Sequence, residues 1–211
     1  MNDVPPSERA RGLVEGAYDL HVHVGPDVPQ RRIDDVALAH RCAEVGLAGF
    51  GLKSHYTSTA ERAQIVSAAA PGVRAIGTIT LNWAVGGMNA LAVEIAAREG
   101  ARIVWMPTVD SPAETAGRTE PQPGDKVPQW ARLQHELHGL GFAIATVEVT
   151  DDAGDLLPET RLVLRTIARH GLILATAHLG RVDTFAVVDG AFAEGVKTVV
   201  ITHPEFTCQD F

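Results

Sequence analysis

The feature that most restricts the fold is a regular alternation, along nearly the whole chain, of short apolar runs with amphipathic segments. β-rich runs lie at 17–24, 48–56, 73–82, 101–109, 142–149, 172–180 and 197–206. Between them, 32–45, 58–70, 87–99, 128–140, 158–170 and 182–195 carry an apolar period of about 3.6 residues, the signature of amphipathic helices. Several of these close on a glycine stop, at Gly46, Gly72, Gly100, Gly141, Gly171 and Gly195. Six strand–helix units followed by a seventh strand require right-handed crossovers and a parallel sheet. Strands that are apolar almost throughout have both faces covered. No glycine-rich fingerprint follows the first run, so a dinucleotide-binding sheet has no positive support. The predicted fold is therefore α/β: a (β/α) TIM-like barrel with seven strands visible, the eighth missing from the pattern or supplied from elsewhere. Residues 1–16 read as a polar N-terminal segment and 17–211 as a single barrel domain. A chain of 211 residues with 45% hydrophobic side chains has enough apolar material for one large core.

Charge narrows the partners. A formal net charge of -8 argues against nucleic acid, whose phosphates need a basic face. No apolar run reaches the roughly 20 residues of a spanning helix, and "MNDVPPSERARG" is unlike a signal peptide, so no membrane partner is expected. Cys42 and Cys208 are distant in sequence and form no disulfide framework, which predicts a reduced, cytoplasmic protein.

The histidines are placed unevenly. His21 and His23, in "AYDLHVHVGP", fall two residues apart on the first run; in a strand that spacing puts both imidazoles on one face. His55, His178 and His203 end the second, sixth and seventh runs. Five of nine histidines thus collect where parallel strands end, the face that carries catalysis in such barrels. His40, His135, His138 and His170 lie within or at the end of helices and read as surface or packing residues. Imidazoles at strand ends point to a divalent metal, His21, His23, His178 and His203 being the candidate ligands. Zinc is the first choice, with manganese or iron as alternatives and one or two ions to be held. A metal with an open position lowers the pKa of its water from about 15.7 to about 7. Asp19, Asp27 and Glu205 are close enough in sequence to orient the ligands.

Other candidates surround this group. Lys53 shares the strand parity of His55, and both are candidates for catalysis: contacting substrate, or a second ion if the lysine is carboxylated. Glu148 completes the catalytic set as a general base or further ligand. Arg31 and Arg32 open the first helix, where positive charge opposes the helix dipole, and so raise an anionic substrate as an option. Asn82, Thr108 and Thr176 end strands and could donate hydrogen bonds, while Trp83, Trp105 and Met106 read as core or pocket lining. The stretch 111–127 is the longest irregular loop and is placed where a lid would attach. "TDDAGDLLPE" at 150–159 reads as a turn or hairpin before a helix that Asp155 could cap.

"YDLHVHVGPD", "GLKSHY", "ARIVWMPT", "ILATAHLG" and "VVITHPE" together resemble amidohydrolase-like metal-dependent hydrolases, from about residue 17 to 206. In layout the chain is similar to the amidohydrolase superfamily and to polymerase-and-histidinol-phosphatase phosphoesterases, both of which carry H-x-H on the first strand, matched here by His21 and His23. The resemblance implies a barrel and metal-dependent hydrolysis. The match to the first group is incomplete: the fourth run offers no bridging lysine or glutamate, the fifth has Glu148 in place of histidine, and no eighth-strand aspartate is found. His203 and the seven-strand count are closer to the phosphoesterase layout.

The expected activity is therefore hydrolysis of an amide, cyclic amide or ester bond in a small molecule by metal-activated water. A phosphoesterase, a metal-dependent decarboxylase or other carbon–carbon lyase, and an inactive binding barrel are the alternatives. An open barrel edge also predicts a homo-oligomer.

Overall fold

The computed structural model describes residues 7–116, 128–142, 145–206 and 209–210. Six strands form one sheet in sequential order: β1 (Tyr18–Val22), β2 (Gly49–Leu52), β3 (Arg74–Thr80), β4 (Ile103–Trp105), β5 (Ile173–Ala175) and β6 (Val199–Val200). Every neighbouring pair is parallel. Among the described residues the helices are α1 (Glu8–Val14), α2 (Asp35–Val45), α3 (Ala60–Ala69), α4 (Ala90–Arg98), α5 (Pro112–Thr115), α6 (Gln129–Gly139), α7 (Pro158–His170) and α8 (Arg181–Ala193). The sheet curls into a half-barrel with β1 and β6 as its edges.

This corrects the expectation of a seven-stranded TIM-like barrel. The run 142–149 is not a strand where it is described. β4 pairs directly with β5, Ile103 opposite Ile173 and Trp105 opposite Ala175, so β4 has no edge left for it. Residues 145–149 instead cross irregularly, with the Val147 N–H donating to the Asp110 carbonyl at 2.8 Å. Val147 and Val149 are 3% and 1% exposed while Glu148 between them is exposed. An extended segment with one buried face thus produced a strand's period without a ladder.

The helix boundaries follow their caps. The Asp34 side chain accepts from the Ala37 N–H at 2.7 Å to start α2, and Gly46 ends it in the left-handed conformation. Arg31 and Arg32 therefore precede the helix instead of opening it, and the argument from its dipole lapses. Pro158 takes the first position of α7, whose N-cap is Leu157 and not Asp155. A turn does form there: Asp151 Oδ1 accepts from the Ala153 and Asp155 N–H groups, and Thr150 bridges Leu156 in antiparallel fashion. Of the loop 111–127, the described part holds α5, and 117–127 lies outside the described residues, as does Cys208.

Two apolar clusters flank the sheet. The larger joins β3, β4 and β5 to α4, α7 and α8 through residues such as Trp105, Leu164 and Leu174. The smaller joins β1 and β2 to α2 and α3 through Val24, Phe50 and Leu52. Burial of each such side chain contributes about 1.5–3 kcal/mol. Close approach makes Gly51 necessary in β2, since a Cβ there would sit 2.4 Å from the Leu20 carbonyl oxygen. Among the described residues no helix is long and apolar enough to cross a membrane.

Candidate functional site

His21 lies in β1 and His23 one residue past its end, so their rings project on one side of the sheet, with centroids 5.4 Å apart. The chain after β1 is held by Arg62 of α3. Its guanidinium donates to the Val24, Gly25 and Pro26 carbonyls and pairs with Asp35 at 2.5 Å. His55 follows β2 and stacks on His23 at 4.5 Å. His178 and His203 follow β5 and β6 and lie 5.8 Å apart, while His203 stands 4.8 Å from His21. All five strand-end histidines are thus gathered at one end of the half-barrel, and His203 meets His21 across edges that share no ladder.

Burial, then the Lys53 ammonium, pushes the His21 imidazole down to about 2 and that of His23 down to about 3. His55 falls well below the usual imidazole range, chiefly through burial, and His203 is lowered by burial and by His178. At neutral pH these four rings are uncharged, the form that ligates metals.

Lys53, only 2% exposed, lies 3.0 Å from His21 Nε2 and 4.2 Å above the Trp105 ring. Burial brings its ammonium down to about 7. Position 55 is fixed by a buried polar network. Thr108 Oγ1 is 2.8 Å from His55 Nδ1 and accepts from Asn82 Nδ2 at 2.7 Å. Asn82 Nδ2 also donates to the His55 carbonyl, and its Oδ1 accepts from the Thr108 and Asp110 N–H groups. Thr80 supports the same loop by donating to the Ser54 carbonyl.

His178 Nδ1 lies 3.1 Å from Glu114 Oε2 on α5, and Ser111 Oγ donates to the His178 carbonyl. Phe206 stacks on His203 at 4.2 Å with planes 7° apart. Two non-glycine residues here have left-handed backbone, Ala177 (φ 55°) and His203 (φ 50°). The first is held at both ends: its N–H donates to Thr202 Oγ1 and its carbonyl accepts from Gln209 Nε2.

The remaining candidates separate. Arg31 joins the group, its Nη2 3.4 Å from His23 Nδ1, whereas Arg32 is exposed. Asn82 and Thr108 are fully buried and engaged with each other and with His55, which makes them positioning residues. Glu148 is exposed and accepts from the Thr146 hydroxyl, with no contact to the histidines among the described residues. Asp19 accepts from the His21 backbone N–H, Asp27 pairs with Arg31, and Glu205 is 3.9 Å from His203 Nδ1 on an exposed side chain. Thr176 Oγ1 accepts from the Thr202 N–H, Trp83 is partly exposed, and Trp105 and Met106 are buried. His40, His135 and His138 face outward, and His170 pairs with Glu94. Sequence reasoning did not single out Glu114, Tyr56, Phe206 or Arg62. Burial, then the Asp27 and Asp110 carboxylates, pushes the Tyr56 hydroxyl up to about 12.

The donor set suits a divalent ion in chemistry: neutral imidazoles from several strand ends on one side of the sheet. Among the described residues, however, no three histidine, cysteine, aspartate or glutamate side chains are arranged around a single point. Lys53 lies where His21 would offer Nε2, so metal entry here needs that amine to move and the rings to turn. No curated protein matches the sequence. Residues 16–211 match the model of a family of unknown function, DUF6282, and the chain belongs to that family.

Proposed function

We propose that the protein is a metal-dependent hydrolase acting in the cytoplasm on an amide, cyclic amide or ester bond of a small molecule. The observation that carries this reading is the gathering of five histidines from four strand ends, four of them held neutral, around a buried lysine. His21, His23, His178 and His203 are the residues that would hold a divalent ion, zinc first. Bound there, such an ion supplies a Lewis acid for a carbonyl oxygen and makes water nucleophilic at neutral pH.

The chain's own residues do the rest. Thr108 and Asn82 keep the His55 ring in one orientation beside His23. Lys53, which rests between His21 and the Trp105 face, would leave His21 Nε2 when an ion is held and turn its amine toward a substrate oxygen. Glu114 steadies His178 from α5. Phe206 covers His203 and reduces the access of bulk water on that side. Arg32 is turned out from the cations near the histidines, which weakens the phosphoester alternative.

The test is the metal content of chain purified without chelator or histidine tag, beside a His21→Ala/His23→Ala variant. Near-stoichiometric zinc, manganese or iron in the parent and its loss in the variant support the reading. Ester, lactam and phosphoester panels then choose the bond. A parent that carries no metal and takes none up overturns it.

A further inference from the structure

Next to the histidines lie two hydrogen-bond donors that their surroundings fix in place and leave unused. Arg31 is held through Nε and Nη2 on Asp27 Oδ2, at 2.7 and 2.6 Å. Asp27, with a side chain 2% exposed, is itself held by the Val28 N–H and by Ser54 Oγ. The guanidinium therefore keeps one orientation, with Nη2 reaching the edge of His23, and its Nη1 makes no hydrogen bond among the described residues. Tyr56 is tied to the same support, since its N–H donates to Ser54 Oγ at 3.2 Å. Its ring packs edge-on to His55 at 6.1 Å, and its buried hydroxyl has no partner among the described residues. A buried donor without an acceptor costs free energy, so the Tyr56 hydroxyl, near a partly exposed guanidinium carried on the same Asp27–Ser54 support, suits a ligand that brings acceptors.

We propose that Arg31 and Tyr56 form the anchoring subsite of this centre, and that the substrate presents a carboxylate to them. The proposal rests on the reading of the histidine group as the reaction centre and names the class of molecule it takes. A carboxylate carries two oxygens that can meet a planar guanidinium and a phenol together, and charge-assisted hydrogen bonds are the strong ones. The acidic groups nearby do not compete for this place. Asp27 is engaged by Arg31, and Asp110 accepts from the Trp83 N–H and from Gln134 Nε2. Lys53, beside His21, is a second basic group here, and both it and Arg31 act on the His23 ring. The bond to be cleaved then lies between an anchored carboxylate and the histidines, the arrangement of an acid-bearing amide, lactam or ester.

The experiment is a calorimetric titration of the full chain with benzoate and with its uncharged counterpart benzamide, then with succinate, succinamide and inorganic phosphate. Each is run with and without added zinc. The variants are Tyr56→Phe, which removes one hydroxyl; Arg31→Lys, which keeps the charge but loses the fork; and His21→Ala/His23→Ala. The expected result is carboxylate binding about tenfold tighter than that of the matching amides, with each of the first two variants weakening the carboxylates about fivefold or more and leaving the amides unchanged. Unchanged amide binding shows that the pocket has kept its shape. Carboxylate binding that depends on Arg31 and Tyr56 but survives in the zinc-free double-histidine variant upholds the subsite even where the hydrolase reading fails. Binding that needs zinc and both histidines but ignores Arg31→Lys and Tyr56→Phe makes the carboxylate a mere metal ligand and overturns the subsite alone. Equal affinity for acid and amide, no carboxylate binding at all, or tightest binding of phosphate also overturns it. A Tyr56→Phe variant with an unchanged or raised melting temperature agrees with an unused hydroxyl; a lowered one assigns that hydroxyl an internal role and counts against the proposal.

Discussion

The two sides of the histidine group are held in place by different means. At the ends of β2, β3 and β4, side chains hold the backbone: Asn82 and Thr108 fix His55, Thr80 the Ser54 carbonyl, and Thr59 and Thr78 the Leu52 carbonyl. At the ends of β5 and β6 the backbone itself is unusual, with Ala177 and His203 left-handed and the strands only three and two residues long. The first side is a saturated polar network, in which each member is costly to remove. The second stores conformational cost that neighbours must hold down, and such strain gathers at functional sites. His55 is thus aimed by side chains that grip its ring and its carbonyl, whereas His178 follows a left-handed backbone pinned by Thr202, Gln209 and Ser111.

The strongest way to break this comparison is to remove Asn82. Its carboxamide donates to two oxygens and accepts from two N–H groups in a fully buried position, so Asn82→Ala leaves several buried groups without partners. Each costs about 1–3 kcal/mol, and a loss of about 3 kcal/mol or more is expected in urea unfolding. Thr108→Val, which keeps the shape and deletes one hydroxyl, is expected to cost about 1–2 kcal/mol. Losses under about 0.5 kcal/mol for both would mean that the His55 side is not held as described.

Acid probes both sides at once. The His21 and His23 imidazoles are driven down from 6.5 to about 2 and 3, His55 also falls well below 6.5, and His203 is lowered. In the unfolded chain these rings take up protons near their usual 6.5, so below that pH the unfolded state binds more protons than the folded one. Stability is therefore full above about 6.5 and falls progressively as the pH drops toward 3. Urea unfolding of chelator-treated protein between those limits checks this, and His21→Ala/His23→Ala should flatten the slope. A slope unchanged in the variant would assign the acid sensitivity to other groups.

Much of this was legible in the chain, for identifiable reasons. Helices α2, α3, α4, α6 and α7 fall inside the segments read from apolar period and α8 starts one residue ahead of its segment, because each pairs that period with a proline or capping start or a glycine stop. The strand-end histidines were found because a residue at the end of a parallel strand has few places to go. The segment at 142–149 was misread because Val147 and Val149 bury one face of an irregular crossing, and period alone does not reveal whether a ladder partner exists. Glu148 was misplaced with it. Asn82 and Thr108 were identified as strand-end polar groups, but their role depends on contacts across 26 residues of sequence that no local pattern carries. Glu114 and Tyr56 reach the site from a short helix and a loop, where spacing sets no direction.

The smallest expected effects sharpen the account of the β5–β6 side. Gln209→Ala removes the donor to the Ala177 carbonyl and should cost about 1 kcal/mol. Ala177→Gly has the opposite sign. An alanine at φ 55° carries about 1–2 kcal/mol of left-handed cost that glycine does not, while glycine loses about 0.5–1 kcal/mol through the entropy of the unfolded chain. The net expectation is a gain of about 0.5–1 kcal/mol in urea unfolding. If the strain serves to aim His178, the same stabilised variant should lose metal affinity, since glycine frees the backbone directly before the ligand. A stabilised chain with unchanged metal uptake would make the Ala177 conformation a packing compromise with no part in the site. A destabilised one would mean that the alanine methyl group supplies packing worth more than the relief, in keeping with its full burial against the larger core cluster.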